Sequence, residues 1–171
     1  MNATRKHNPT ANRIMVVLVV GLAAVPAACC DGGPLGPNTE GCMFDEAAVT
    51  ENTVAVLEIS GGLTGVSDEY VIRADGTVRY VNRLTSVVDE RTMPGGAERA
   101  AQLVADLTES HVREAESGCY VPESESADSL TVRITLRHGD SLFFYGSECD
   151  SGPPELLDAI ELLKAYVNEA V

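Results

Sequence analysis

The sequence predicts an α+β domain in which an antiparallel arrangement of about five strands packs with two helices, in the order β-β-β-α-β-β-α. Three observations carry this expectation. Leu130, Val132, Ile134 and Leu136 alternate with Thr131, Arg133, Thr135 and Arg137, the two-residue period of a strand with one buried face. Asp75-Gly76 separates two β-rich runs, as a hairpin turn does. Two later stretches, residues 97–107 and 156–167, repeat apolar residues at helical spacing.

Taken in order, the first strand is the β-branched run TVAVLEI over residues 53–59, which halts at the glycine-rich SGGLTG over residues 60–65. The hairpin follows, with strands over residues 69–73 and 77–81 around Ala74-Asp75-Gly76; glycine supplies the positive φ of the turn without steric cost. After Pro94-Gly95-Gly96 comes the first helix, with Ala100, Leu103, Val104 and Leu107 on one stripe. Residues 114–128 mix Glu114, Glu116, Glu123, Glu125 and Asp128 with Ser, Gly and Pro, and read as an acidic surface loop that includes a cysteine. The strand over residues 130–137 then turns at His138-Gly139-Asp140 into residues 142–145. A last helix opens at Ser151-Gly152-Pro153-Pro154-Glu155 and lines up Leu156, Ile160, Leu163 and Val167.

The N-terminus has the plan of an export signal. Arg5, Lys6 and Arg13 precede a twelve-residue apolar run, residues 14–25, and no acidic residue occurs before Asp31. That run is shorter than the roughly 20 residues a membrane-spanning helix needs. It ends in Pro26-Ala27-Ala28-Cys29-Cys30, which resembles the lipobox of bacterial lipoproteins. The resemblance implies lipidation at Cys29, with Cys30 the other position open to it, and a lipid-anchored domain in the cell envelope, on the outer membrane where two membranes exist. Cleavage after Ala28 by an ordinary signal peptidase is the alternative and implies a secreted protein. Residues 1–29 are thus expected to be signal, residues 30–52 a Gly/Pro-rich tether, and residues 53–171 a single domain.

Without the first 29 residues the chain has nine basic residues against 26 acidic ones, a net charge of −17. Such a charge argues against nucleic acid or an anionic lipid surface as a partner. Cys30, Cys42, Cys119 and Cys149 make an even set for an oxidising compartment, and we expect Cys119–Cys149 and Cys30–Cys42 bridges. No C-x-x-C pair is present, so a zinc site is not expected.

The motifs of common catalytic chemistries are absent from the sequence: no G-x-S-x-G, no H-E-x-x-H, no G-x-x-x-x-G-K-[ST] and no calcium-loop spacing. Neither His111 nor His138 belongs to such a motif. We therefore expect neither an enzyme nor a cofactor or metal. The glycine turn after an apolar strand, then a hairpin, a helix, a strand pair and a terminal helix opened by Pro154-Glu155-Leu156, resembles the emfourin family of protein inhibitors of thermolysin-like metalloproteases. That resemblance spans residues 53–170. It implies a secreted metalloprotease as partner, inhibition by occlusion without covalent chemistry, and an inhibitory loop made of Gly61, Gly62, Leu63 and Gly65. The other function class is a structural or ligand-binding lipoprotein module with no protease target.

Overall fold

The structure, a computed structural model, describes residues 49–62, 65–121 and 129–170. β-branched and apolar runs at the right spacing build β1 (Thr53–Gly61), β2 (Val66–Arg73) and β3 (Thr77–Asn82) as an antiparallel meander. The meander continues into β4 (Val87–Thr92), and the chain then enters helix α1 (Gly96–Glu109). A 3-10 turn at Val112–Glu114 leads to β5 (Gly118–Tyr120). The antiparallel pair β6 (Leu130–His138) and β7 (Ser141–Glu148) follows, and helix α2 (Pro154–Ala170) closes the fold.

Among the described residues, seven strands form one sheet in the order β4-β3-β2-β1-β6-β7-β5. The centre is β1, antiparallel to both β2 and β6, whereas β5 runs parallel to β7 and makes the sheet mixed. The expected five antiparallel strands in the order β-β-β-α-β-β-α are therefore corrected to seven strands in a mixed sheet, with two helices. The two extra strands sit at the two edges, where the hydrophobic signal is weakest. VVDERT in β4 exposes nearly every side chain, so neither face imposes an alternation. GCY in β5 is buried throughout but only three residues long, too short to show a period inside what reads as an acidic loop.

Both helices pack on one face of the sheet. Ala55, Leu57, Ile72, Val78, Ile134, Leu136 and Tyr145 meet Leu103 and Leu107 of α1 and Leu156, Ile160, Leu163 and Tyr166 of α2 in one core cluster. The helical stripes run as the spacing predicts, with Ala100, Leu103 and Leu107 buried on α1 and Leu156, Ile160, Leu163 and Val167 on α2. The β2–β3 turn is fastened to the start of α1: Met93 N–H donates to the Gly76 carbonyl at 2.9 Å. A β-carbon on Gly76, at φ +83°, would lie 2.3 Å from the Gly96 backbone, so only glycine admits this approach.

Candidate functional site

The glycine turn sits where three chain segments converge at one end of the sheet. Strand β1 keeps its register to the last residue, Gly61 facing Val66 on one side and Leu130 on the other. Gly61, Gly62 and Gly65 all have positive φ, at 95°, 74° and 60°. Gly62 N–H donates to the Ser129 carbonyl at 3.1 Å, and Gly65 N–H to the Gly62 carbonyl at 3.0 Å. A β-carbon at Gly61 would stand 2.4 Å from the Ser129 oxygen, so the turn is clamped against the chain leading into β6 and requires glycine there. Beside it, Ser129 Oγ donates to the Glu148 carboxylate, and Cys149 N–H donates to the Leu130 carbonyl at 3.2 Å.

Of the residues singled out in the sequence, Gly61, Gly62 and Gly65 lie together in this turn. Leu63, Cys29, Cys30 and Cys42 lie outside the described residues, as does the signal segment. Leu130, whose alternation assigns it to the core, is instead 40% exposed beside Gly62, because its position lies beyond the helix-covered cluster. Cys119 and Cys149 are both disulfide-bonded. They occupy different places, Cys119 within β5 opposite Gly146, and Cys149 after β7 with a left-handed backbone at φ 54°.

A second feature lies on the helix-packed face where the β2–β3–β4 meander extends past the end of α2. A groove of about 360 Å³ is lined there by Tyr70, Val78, Tyr80, Val87, Asp89 and Arg91. Tyr70 and Tyr80 face each other in register, their rings 5.1 Å apart and tilted by 35°. Tyr80 hydroxyl donates to Asp68 Oδ1 at 2.8 Å, and Asn82 Nδ2 donates to the same oxygen at 2.8 Å. Burial, with the Asp68 carboxylate and then Tyr80 adding to it, pushes the Tyr70 phenol up to about 12. The phenol is therefore protonated throughout the physiological range. Arg91 closes one end, with Nε donating to Asp89 Oδ2 at 2.8 Å and Nη1 to the Ala170 carbonyl at 3.4 Å. Sequence reading passed over this groove, yet the signal existed: the three-residue loop Ala74-Asp75-Gly76 between Arg73 and Thr77 places residues 70 and 80 directly opposite each other.

The other sheet face carries charge. Glu58 and Glu69 stand opposite each other in register, a repulsive pair bridged by Arg83, whose Nη2 reaches Glu58 Oε1 at 3.2 Å and also Glu69 Oε2. Arg79 approaches Glu69 from β3 at 3.8 Å. His111 Nδ1 meets Glu114 Oε1 at 2.9 Å, three residues along in an exposed turn, and His138 is exposed at the end of β6. Among the described residues, no cluster of three or more His, Cys, Asp or Glu has the disposition to hold a metal ion. Also among the described residues, no helix is long and apolar enough to cross a membrane.

No family model matches the chain, and no curated protein matches it.

Proposed function

We propose that the protein is an exported, lipid-anchored binding module that blocks a thermolysin-like metalloprotease by occupying its cleft, without catalysis of its own. The observation that carries this reading is the clamped glycine turn. A protein inhibitor has to present a loop on a rigid support, since a loop that must be ordered on binding loses affinity to its own entropy. Gly61 and Gly62 are held to Ser129 by a hydrogen bond and a backbone approach only glycine allows, at the end of two long paired strands. The exposed Leu130 next to Gly62 adds apolar contact area, and Leu63 is the anchor that the family resemblance implies.

The test is a titration of the purified mature chain against a thermolysin-like metalloprotease and, in parallel, a secreted serine protease. Stoichiometric loss of metalloprotease activity alone is expected, and Leu63→Asp is expected to weaken it at least tenfold. Full inhibition by the Leu63→Asp variant removes the turn from the mechanism, and no inhibition by the wild type removes the target.

The groove between Tyr70 and Tyr80 favours a second reading, a ligand-binding module. An aromatic dye whose fluorescence rises with the wild type and not with Tyr80→Ala supports it; equal responses count against it.

A further inference from the structure

We propose that the groove over β2, β3 and β4 takes a small organic cation, an ammonium group on an apolar body, with the charge held over the Tyr80 ring beside Asp68. The strand register lays out the groove floor in three rungs on the helix-packed face. Val78 stands beside Arg91 at one end, Tyr70 and Tyr80 beside Asp89 in the middle, and Asp68 in line with Val87 at the other end. Successive rungs are two residues apart, so the floor runs about 13 Å from Arg91 to Val87.

The charges along this floor do not cancel. Asp89 answers Arg91, its Oδ2 accepting from Arg91 Nε at 2.8 Å, and Arg91 Nη1 is turned to the Ala170 carbonyl at 3.4 Å. Asp68 has no such answer. Its Oδ1 accepts from two neutral donors, the Tyr80 hydroxyl and Asn82 Nδ2, each at 2.8 Å, and no ion pair among the described residues includes it. Arg83, next in sequence to Asn82, is bound to Glu58 and Glu69 on the opposite face. A carboxylate without a counter-charge at the mouth of an apolar groove attracts a cation and repels an anion. The net charge of −14 on the whole chain acts in the same direction.

Tyr70 and Tyr80 supply the other half of the recognition. Their rings lie 5.1 Å apart and tilted by 35°, so one ligand can touch both. The face of a tyrosine ring is the negative side of its quadrupole and attracts a cation within about 6 Å of the centroid. By donating its hydroxyl proton to Asp68, Tyr80 gains electron density in the ring, which strengthens that attraction at the end where the carboxylate stands. Burial raises both phenols, with the hydrogen bond to Asp68 adding to it at Tyr80, so both rings stay neutral across the physiological range.

Shape selects a compact ligand. A groove of about 360 Å³ is near the small end of the roughly 300–1,000 Å³ that ligand sites enclose. Arg91, bound to the carbonyl at the end of α2, closes one end, so the groove is no channel for an extended chain to run through. Val87 is 51% exposed and leaves the Asp68 end open to water. The ammonium group therefore sits at the open end, between Asp68 and the Tyr80 ring, and the apolar body lies inward over Tyr70 and Val78. An anion would meet Asp68 at the entrance and find Arg91 already engaged by Asp89. The proposal rests on the groove being a ligand site and adds the charge of what it takes.

The experiment is a titration of the full mature chain, followed by backbone amide chemical shifts, with three probes that share a phenyl ring: benzyltrimethylammonium, benzyl alcohol and phenylacetate. Shifts at Tyr70, Val78 and Tyr80 are expected, with the cation binding about tenfold tighter than the alcohol at low ionic strength and phenylacetate not binding. Raising the salt from about 20 to about 300 mM is expected to weaken the cation several-fold and leave the alcohol unchanged. Asp68→Asn keeps an oxygen that accepts from Tyr80 and Asn82, and is expected to bring the cation down to the affinity of the alcohol. An alcohol that binds the wild-type groove as tightly as the cation overturns the proposal and leaves the ligand site standing, whereas no groove shift with any probe overturns both. A preference for phenylacetate, a cation affinity indifferent to salt, or undiminished cation binding by Asp68→Asn overturns the charge assignment. Groove shifts that follow protein concentration without any probe identify a second copy of the chain as the occupant and overturn it as well. Where Asp68→Asn does not fold, the three-probe comparison and the salt series on the wild type decide.

Discussion

The middle of the sheet and its β3–β4 margin obey different rules. Strands β1, β6 and β7 lie under both helices, and their inward side chains, Leu57, Ile134, Leu136 and Tyr145, are almost completely buried. Strand β4 belongs to the same ladder, but Val87 and Val88 are 51% and 57% exposed, Leu84 in the preceding turn is 63% exposed, and charged Asp89, Glu90 and Arg91 line the strand. Stability resides in the first region, where every removed methylene leaves a void. The second region is free to carry recognition, because its side chains owe little to the core, and its charges discourage edge-to-edge pairing with other chains.

The largest effect that separates the two regions is expected from truncation. Leu163→Ala, in the fully buried seam of α2, should lower unfolding stability by about 3 kcal/mol in urea melts, whereas Val88→Ser should change it by no more than about 0.5 kcal/mol. Comparable losses from both variants would erase the distinction. Next comes the joint between them, where Gly76 of the hairpin touches Gly96 of α1. Gly76→Ala combines a positive φ with a collision against backbone and should cost about 2 kcal/mol, read from the same melts. A neutral result would mean the hairpin can lift from the helix without penalty.

The smallest effect concerns pH. Asp75 Oδ1 accepts from the Thr77 hydroxyl at 2.6 Å and the Thr77 N–H at 2.8 Å, and these bonds hold its carboxyl below the ordinary range. A carboxyl depressed in the folded state stabilises above its unfolded pKa, and that contribution disappears as pH falls through the folded value. Asp75→Ala should therefore cost under about 1 kcal/mol at neutral pH, the group being exposed and screened, and the difference from wild type should shrink as pH falls below the ordinary carboxylate range. A difference independent of pH would assign the effect to turn geometry instead of charge.

Much of the fold was legible because burial leaves a period in sequence. The alternation of residues 130–137 and the 3.6-residue stripes of both helices follow from each element having one face against the core, and Asp75-Gly76 announces its turn by the φ that glycine alone adopts cheaply. For β4, with water on most of its side chains, and β5, shorter than one full alternation, no such period exists. The candidate site divides in the same way. The glycines of residues 61–65 stand out by composition, but the clamp on Ser129 brings together positions almost seventy residues apart, and no local pattern records it.

By itself, then, the sequence determined the central strands, the hairpin turn, both helices with their buried stripes, and the acidic character of the chain, because each depends on residues near one another along the backbone. Tertiary structure alone decided the seven-strand order with its parallel edge, the exposure of Leu130 and the Tyr70–Tyr80 groove. These depend on which strands lie side by side and where the helices stop, and such long-range pairings are selected by the packing of the whole chain.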